Sequence, residues 1–302
     1  MRVLLKWTGI VAGSLLVILA VAAVAVYLVT NARMNAAFTF VPTSVPIETD
    51  TASIARGAHI AAIRGCSDCH GADLGGKPVI EEPPVAMLYA TNLTTGRGGM
   101  APEYKDEDWV RAIRHGIRFD GRPLIFMPAQ EYQVLSDEDV GDLIAYIKSR
   151  PAVDREVPKT TVGPIGRLLY LAGQFELLPA ELIDHENLRP PARIEEAPTA
   201  EYGAYLVTGC LGCHGHGLSG GRIPGVPPDY PPASNLTPDP ETGLGNWTEA
   251  DFAGALREGV RPDGTVLDPF MPVQLTSQLT DTELRAIWLH LQSLEPKPYG
   301  GR

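Results

Sequence analysis

The hydrophobic positions of this chain form one long unbroken run, followed by short helical patterns that recur. The run extends from Trp7 to Val29, 23 uncharged residues dominated by Leu, Val, Ile and Ala. At about 1.5 Å per residue, a helix of that length crosses the hydrocarbon core of a bilayer. Arg2 and Lys6 precede it and predict an N-terminus on the cytoplasmic side, with everything after Asn31 exported. Ala23-Val24-Ala25 is an Ala-x-Ala site, so a cleaved signal peptide is the competing reading. The run is longer than the apolar core of a signal peptide, roughly 7–15 residues, and Tyr27-Leu28-Val29 continue it past that site. A retained anchor over residues 1–30 is therefore expected, with residues 31–50 as a polar, Pro-containing tether.

Beyond the tether the apolar spacing is helical. Ile54, Ala58, Ala61 and Ala62 mark one face of a first helix, and Tyr202, Tyr205 and Leu206 mark one in the second half. Short helices are predicted from Asp106 to His115 and from Thr248 to Glu258, the latter opened by Thr248 and Asp251 as a capping pair. Ser136-Asp137-Glu138-Asp139 and Thr280-Asp281-Thr282-Glu283 each begin a final helix, with a hydroxyl N-cap and acids in the first turn. Leu143, Ile144 and Ile147, and Ile287, Trp288 and Leu291, supply the apolar sides. No strand pattern of any length stands out, so the expected fold class is all-α.

These patterns are two copies of one unit. Gly65-Cys66-Ser67-Asp68-Cys69-His70-Gly71 falls on Gly209-Cys210-Leu211-Gly212-Cys213-His214-Gly215 at an offset of 144, which also maps Met127-Pro128 onto Met271-Pro272. At 143, Asn92-Leu93-Thr94 falls on Asn235-Leu236-Thr237. Repeats are therefore expected over 51–150 and 199–302. Gly57 and Gly203 match where a close helix crossing would forbid a side chain. Residues 151–198 form a Pro-rich linker in which Ile165 to Leu178 is apolar enough for one short helix. That helix packs across both repeats or lies on the membrane surface; the sequence does not choose.

Charge narrows the function. The 302 residues carry 25 Lys and Arg against 36 Asp and Glu, a net −11, which excludes the basic face a nucleic-acid binder needs. Residues 51–150 hold 11 basic and 14 acidic side chains, residues 199–302 hold 6 and 12. The more acidic second repeat would steer a basic partner.

All four cysteines sit in two Cys-x-x-Cys-His motifs, the attachment signature of c-type haem. Two thiols one helical turn apart can both add to the vinyl groups of one porphyrin, and the adjacent His presents its imidazole to the iron. A thioredoxin-like pair would not need that His, and a zinc site from Cys66, Cys69, Cys210 and Cys213 would ignore both His residues and the repeat. Two covalently bound haem c groups are expected, with His70 and His214 as axial ligands. For the other axial position, Met127 and Met271 each lie 57 residues beyond their His, both within Phe-Met-Pro. A His/Met pair closes the iron and marks an electron carrier. Met87 and Met100 have no counterpart in the second copy and are expected to pack or lie on the surface. The other histidines do not repeat: by the motif offset His59 falls against Gly203 or Ala204, and His216, two residues past a motif, is the one to watch. Asn-Leu-Thr matches a glycosylation sequon but is expected to cap a turn and help close the haem crevice. Arg114 and Arg257 are candidates for pairing with a haem propionate, or plain surface residues.

With Cys-x-x-Cys-His, Asn-Leu-Thr, Trp109 or Phe252 on a short helix, Phe-Met-Pro and a C-terminal aromatic helix, the chain resembles membrane-anchored di-haem members of the bacterial cytochrome c superfamily. Leu178-Pro179-Ala180-Glu181 with Asp184-His185 adds to the likeness. It is similar to the cytochrome subunits of periplasm-facing dehydrogenases, although those carry three haem motifs and this chain two. The resemblance implies two tandem cytochrome c-like domains behind a transmembrane helix in the bacterial inner membrane, with the haem domains in the periplasm. Its expected role is non-enzymatic: electrons pass from a dehydrogenase or quinol-oxidising complex to a soluble cytochrome or terminal oxidase. A di-haem peroxidase is the alternative. It would need one haem with an open sixth site and an acid/base group beside it.

Overall fold

In the computed structural model, residues 2–100 and 104–302 are described. Helix α1, Arg2–Met34, contains the whole apolar run. The first repeat follows as α2 (Thr51–Ile63), α3 (Cys66–His70), strands β1 (Lys77–Glu82) and β2 (Ala86–Ala90), α4 (Asp106–His115), α5 (Ala129–Tyr132) and α6 (Asp137–Ser149). After β3 (Thr161–Val162) and α7 (Pro164–Leu171), the second repeat runs through α8 (Ala200–Leu206), α9 (Leu211–His214), α10 (Glu249–Glu258), α11 (Val273–Thr276) and α12 (Asp281–Gln292).

The caps form where the sequence places them. The Ser136 hydroxyl accepts from the Asp139 amide, and Thr248 with Asp251 and Thr280 with Glu283 close reciprocal capping boxes. Each repeat is built on one helix crossing, α2 over α6 and α8 over α12. A Cβ on Gly57 would fall well inside contact distance of the Asp142 carbonyl oxygen, and one on Gly203 would do the same at Ala286. The glycines are thus where backbone meets backbone. They also centre the buried face of α2, which is Ser53, Gly57, Ile60 and Ala61. That stripe is rotated from the one expected through Ile54, Ala58 and Ala62. Leu143, Ile144, Ile147, Ile287, Trp288 and Leu291 are buried as expected.

The fold is mostly helical but not all-α. β1 and β2 pair antiparallel, Lys77 opposite Ala90 and Glu82 opposite Ala86, with an irregularity between Pro78 and Ile80. β3 adds through Ala86 to Val162 and Met87 to Thr161. Three prolines made this segment read as loop. Pro78 instead sits at the irregularity of an edge strand, where a missing N–H is tolerated, and Pro83-Pro84 lie in the connection.

The tether and linker are both held down. Val45 is buried in the first core, and the Pro46 carbonyl presses on Gly141. The linker helix α7 stops earlier than the apolar run, at Ala172 and a left-handed Gly173, and packs on α1. Where tether, first repeat and linker meet, the Phe40 ring stacks on His185 and lies 4.2 Å from the His115 ring. His185 Nε2–H donates to the Ala180 carbonyl (3.0 Å), so its Nδ1 accepts from His115 Nδ1–H (2.9 Å). Burial holds both rings below their ordinary pKa, so both are neutral near pH 7, as this pairing requires. Burial, reinforced by His185, Arg114 and Arg111, pushes His115 down to about 4.

An acid sensitivity follows. The unfolded chain protonates His115 near 6.5, whereas the folded chain refuses that proton until about 4. Stability is full above pH 6.5 and falls as the pH drops through that window, by about 2–3 kcal/mol at pH 4.5. Urea midpoints of the purified protein should fall accordingly between pH 7 and 4.5, and His115→Asn should flatten the dependence. An equally steep slope in that variant would remove His115 as the cause.

Candidate haem-binding sites

Each Cys-x-x-Cys-His motif forms a single helical turn, α3 in the first repeat, and in the second a 3₁₀ turn running into α9. No disulfide joins any of the four cysteines, so both sulfurs of each motif are available for thioether attachment. His70 Nδ1 lies 2.8 Å from the Thr91 carbonyl oxygen, and His214 Nδ1 lies 2.8 Å from that of Ser234. A carbonyl only accepts, so Nδ1 carries the hydrogen in both rings. Nε2 is left with its lone pair free for a metal, the tautomer a ligating imidazole requires. Burial holds both rings below their ordinary pKa, which keeps them neutral.

The loops behind the motifs repeat closely. Gly76 and Gly220 donate back to the His70 and His214 carbonyls. Leu74 and Leu218, both buried, adopt left-handed backbone at φ 56° and 54°. Bulky residues avoid that region, and the same strain twice marks a constrained loop. Their carbonyls accept from Leu93 and Leu236, which joins each motif to its Asn-Leu-Thr segment.

Asn92 and Asn235 are almost fully buried. Their Oδ1 atoms accept from the amides and hydroxyls of Thr94 and Thr237. Asn92 Nδ2 donates to the Val153 carbonyl and Asn235 Nδ2 to that of Lys297, each at 2.7 Å. The turn capping expected from sequence is present. The clamp onto the chain beyond the final helix was not legible, because it joins residues about 60 apart. With their amide nitrogens spent inside, neither Asn92 nor Asn235 is a glycosylation site.

In the second repeat a cavity of about 540 Å³ is bordered by Cys210, Cys213, His214 and Met271 together. Leu236, Leu244, Trp247, Phe252, Ile287 and Leu291 supply much of its apolar wall, and Asn235 lies at its margin. The thioether partners, a neutral imidazole and a thioether sulfur around one apolar space fit a haem. In the first repeat, Cys66 and Met127 border the same buried core, with Met100 beside them as a packing residue. The two Phe-Met-Pro segments are held differently. Phe126 is left-handed and donates its amide to the Leu177 carbonyl of the linker, whereas the Met271 amide bonds locally to Asp268.

The match to the family model of subunit III of the cbb3-type cytochrome c oxidase covers residues 52–147. This part of the chain is a cytochrome c domain. It binds haem c covalently. Over its length the chain is 28% identical to the cytochrome c subunit of the quinone alcohol dehydrogenase of Gluconobacter oxydans (84% of this chain, 57% of the relative). It is 30% identical to the gluconate 2-dehydrogenase cytochrome c subunit of Pantoea cypripedii (83% and 61%) and 29% identical to the fructose dehydrogenase cytochrome subunit of Gluconobacter japonicus (85% and 56%). The chain thus spans little more than half the length of these relatives.

Other expected residues take different places. Arg114 in the cytochrome c domain is buried, pairs with Asp137 at 2.7 Å and donates to the Leu135 carbonyl. Arg257 is exposed and pairs with Asp281. Each arginine therefore ties the short helix to the start of the final one. His216 is exposed. His59 is a hydrogen-bonded interface residue: its Nε2 meets Glu283 at 2.9 Å.

That pair exposes contacts the sequence did not show. Matching Gly57 with Gly203 aligns His59 with Tyr205, and Tyr205 reaches back to Asp139, the counterpart of Glu283. Gly65, before the first motif, lies against Leu275, while Gly212, inside the second, lies against Glu131, the residue aligned with Leu275. The repeats thus exchange the equivalent contacts His59 to Glu283 and Tyr205 to Asp139, as in an isologous interface, and both Cys-x-x-Cys-His turns lie near it. Arg64 crosses this interface, donating to Tyr205 O, Leu206 O and Thr208 Oγ1, and it borders the second cavity. Burial pushes Glu131 up to about 7. Arg64 stands two residues before Cys66, where Thr208 stands before Cys210, and that lone asymmetry is the one sequence signal that marks it.

Proposed function

We propose that the chain is a di-haem electron-transfer subunit of a periplasm-facing dehydrogenase complex. One haem c is held by Cys66, Cys69 and His70 with Met127, and the other by Cys210, Cys213 and His214 with Met271. The observation that carries this reading is the matched Nδ1–H to carbonyl bond of both histidines, joined in the second repeat by a cavity that brings His214 and Met271 together. Bound haem supplies reversible one-electron exchange between ferric and ferrous iron. The protein's part is to keep both Nε2 atoms unprotonated, to supply a methionine sulfur as the second ligand, and to tie the two repeats together through Arg64. Residues 51–150 and 199–302 act as the two haem domains, 31–50 as tether, 151–198 as linker, and 1–30 as the single-pass inner-membrane anchor. The named relatives favour a dehydrogenase catalytic subunit as electron donor, and a soluble cytochrome or terminal oxidase is the acceptor.

The oxidised spectrum of the purified protein and the reaction of its reduced form with carbon monoxide test this. Two low-spin haems, both inert to carbon monoxide, are expected. One high-spin haem that binds carbon monoxide would overturn the carrier reading in favour of a di-haem peroxidase.

A further inference from the structure

The linker helix α7 has one face that the protein leaves uncovered. Ile165, Leu168 and Leu171 are spaced three apart and are 46%, 54% and 38% exposed. The rest of the helix is occupied. Gly166 backs onto the Val85 carbonyl, and a Cβ there would collide with it. Tyr170 is buried, donates to Glu181 and accepts from Arg33 of α1. Arg167, its only charged residue, lies 4.6 Å from the Tyr27 ring centroid and donates to the buried Thr30 hydroxyl.

Those α1 partners fix the level of α7 relative to the bilayer. Trp7 opens the apolar run and Tyr27 lies two residues before its close, 20 residues further on. At 1.5 Å per residue that is about 30 Å, the thickness of the hydrocarbon core, and Trp and Tyr rings favour its two boundaries. Tyr27 therefore marks the outer boundary, and α7 is pinned beside it at headgroup depth. An apolar stripe at that depth, on a helix packed beside the membrane-spanning one, has the character of an interfacial helix.

We propose that Ile165, Leu168 and Leu171 insert into the outer leaflet at the headgroup–acyl boundary, so that the linker rests on lipid and fixes the cytochrome c domain close to the membrane. The inference rests on the reading of α1 as a retained anchor. The occupant is the lipid surface, argued from the continuity of this face with the membrane-spanning helix.

The test uses the full-length holoprotein in lipid nanodiscs, with a nitroxide on L168C or, as control, on V266C in the second repeat, where Val266 is 73% exposed. Collisions with oxygen, which partitions into lipid, are compared with those of a water-soluble nickel chelate. The oxygen-to-nickel ratio is expected to be several-fold higher at position 168 than at 266. Equal ratios would overturn the proposal, as would exclusion of both reagents from position 168, which would mean that protein covers the stripe. Intact mass separates the two readings. A shortened chain whose label still lies in lipid would sink the anchor and keep the stripe, whereas a full-length chain with a water-exposed label would do the reverse.

Discussion

A chain with Cys210 and Cys213 both replaced by alanine is expected to carry one covalent haem in place of two, read directly by intact mass and by haem content per polypeptide. The same change at Cys66 and Cys69 should remove the other haem. The expectation follows from the proposed function, in which each motif provides both thioether bonds to its own haem, and the sequence has no other cysteine to replace them. The consequences extend beyond the count. The second repeat surrounds its cavity of about 540 Å³ with apolar side chains that a bound group would cover. Left unfilled, those surfaces lose their packing partners, and cavities of this kind cost several kcal/mol. The Cys210/Cys213 variant should therefore lose protease resistance in residues 199–302 while the first repeat keeps a low-spin haem. Met271→Ala provides the contrast. It should leave the count at two but make one haem high-spin and reactive with carbon monoxide, because it removes an axial ligand and no thioether. Wild-type protein with a single haem, or a double alanine variant retaining two, would refute the di-haem assignment.

What the sequence disclosed depended on the range of each interaction. Caps, the ends of α4 and the crossing glycines are set by residues a few positions apart or by a backbone approach that only glycine allows, so the repeat announced them twice. The haem motifs were legible for the same reason. Contacts that join distant segments left no local trace. Asn92 and Asn235 looked like turn residues, and their donors to Val153 and Lys297 became visible only in three dimensions. Arg114 and Arg257 repeat because they pair with Asp137 and Asp281, which repeat too, so the recurrence pointed to a structural tie as readily as to a ligand. The hairpin was missed because its prolines fall at the irregularity and the connection, positions where a strand pattern tolerates them. Arg64 and Glu131 were missed because they matter only where the repeats meet, and neither repeats.

The same substitution at two glycines should move stability in opposite directions. Gly203→Ala puts a methyl group against the Ala286 carbonyl where α8 crosses α12, and the nearest atoms are backbone, which cannot rotate aside. The helices must separate, and overpacking of this kind costs about 1–3 kcal/mol, sometimes more. Alanine's better helix propensity returns up to about 1 kcal/mol, too little to offset the upper part of that range. Gly254→Ala lies within α10 and its Cβ meets nothing within 4 Å, so only the propensity gain applies and the variant should be neutral or slightly more stable. Thermal unfolding of the holoproteins should show Gly203→Ala melting roughly 2–8 °C lower, from a net cost of about 1–2 kcal/mol at about 2–4 °C per kcal/mol, and Gly254→Ala at or above wild type. Gly57→Ala should behave like Gly203→Ala, since it meets Asp142 in the same way. Because α8 leads directly into Cys210, the displaced crossing should also disturb the second haem's spectrum, which a general loss of helix stability elsewhere would leave unchanged. Equal melting of the Gly203 and Gly254 variants would show that the two helices do not approach as closely as their backbones indicate.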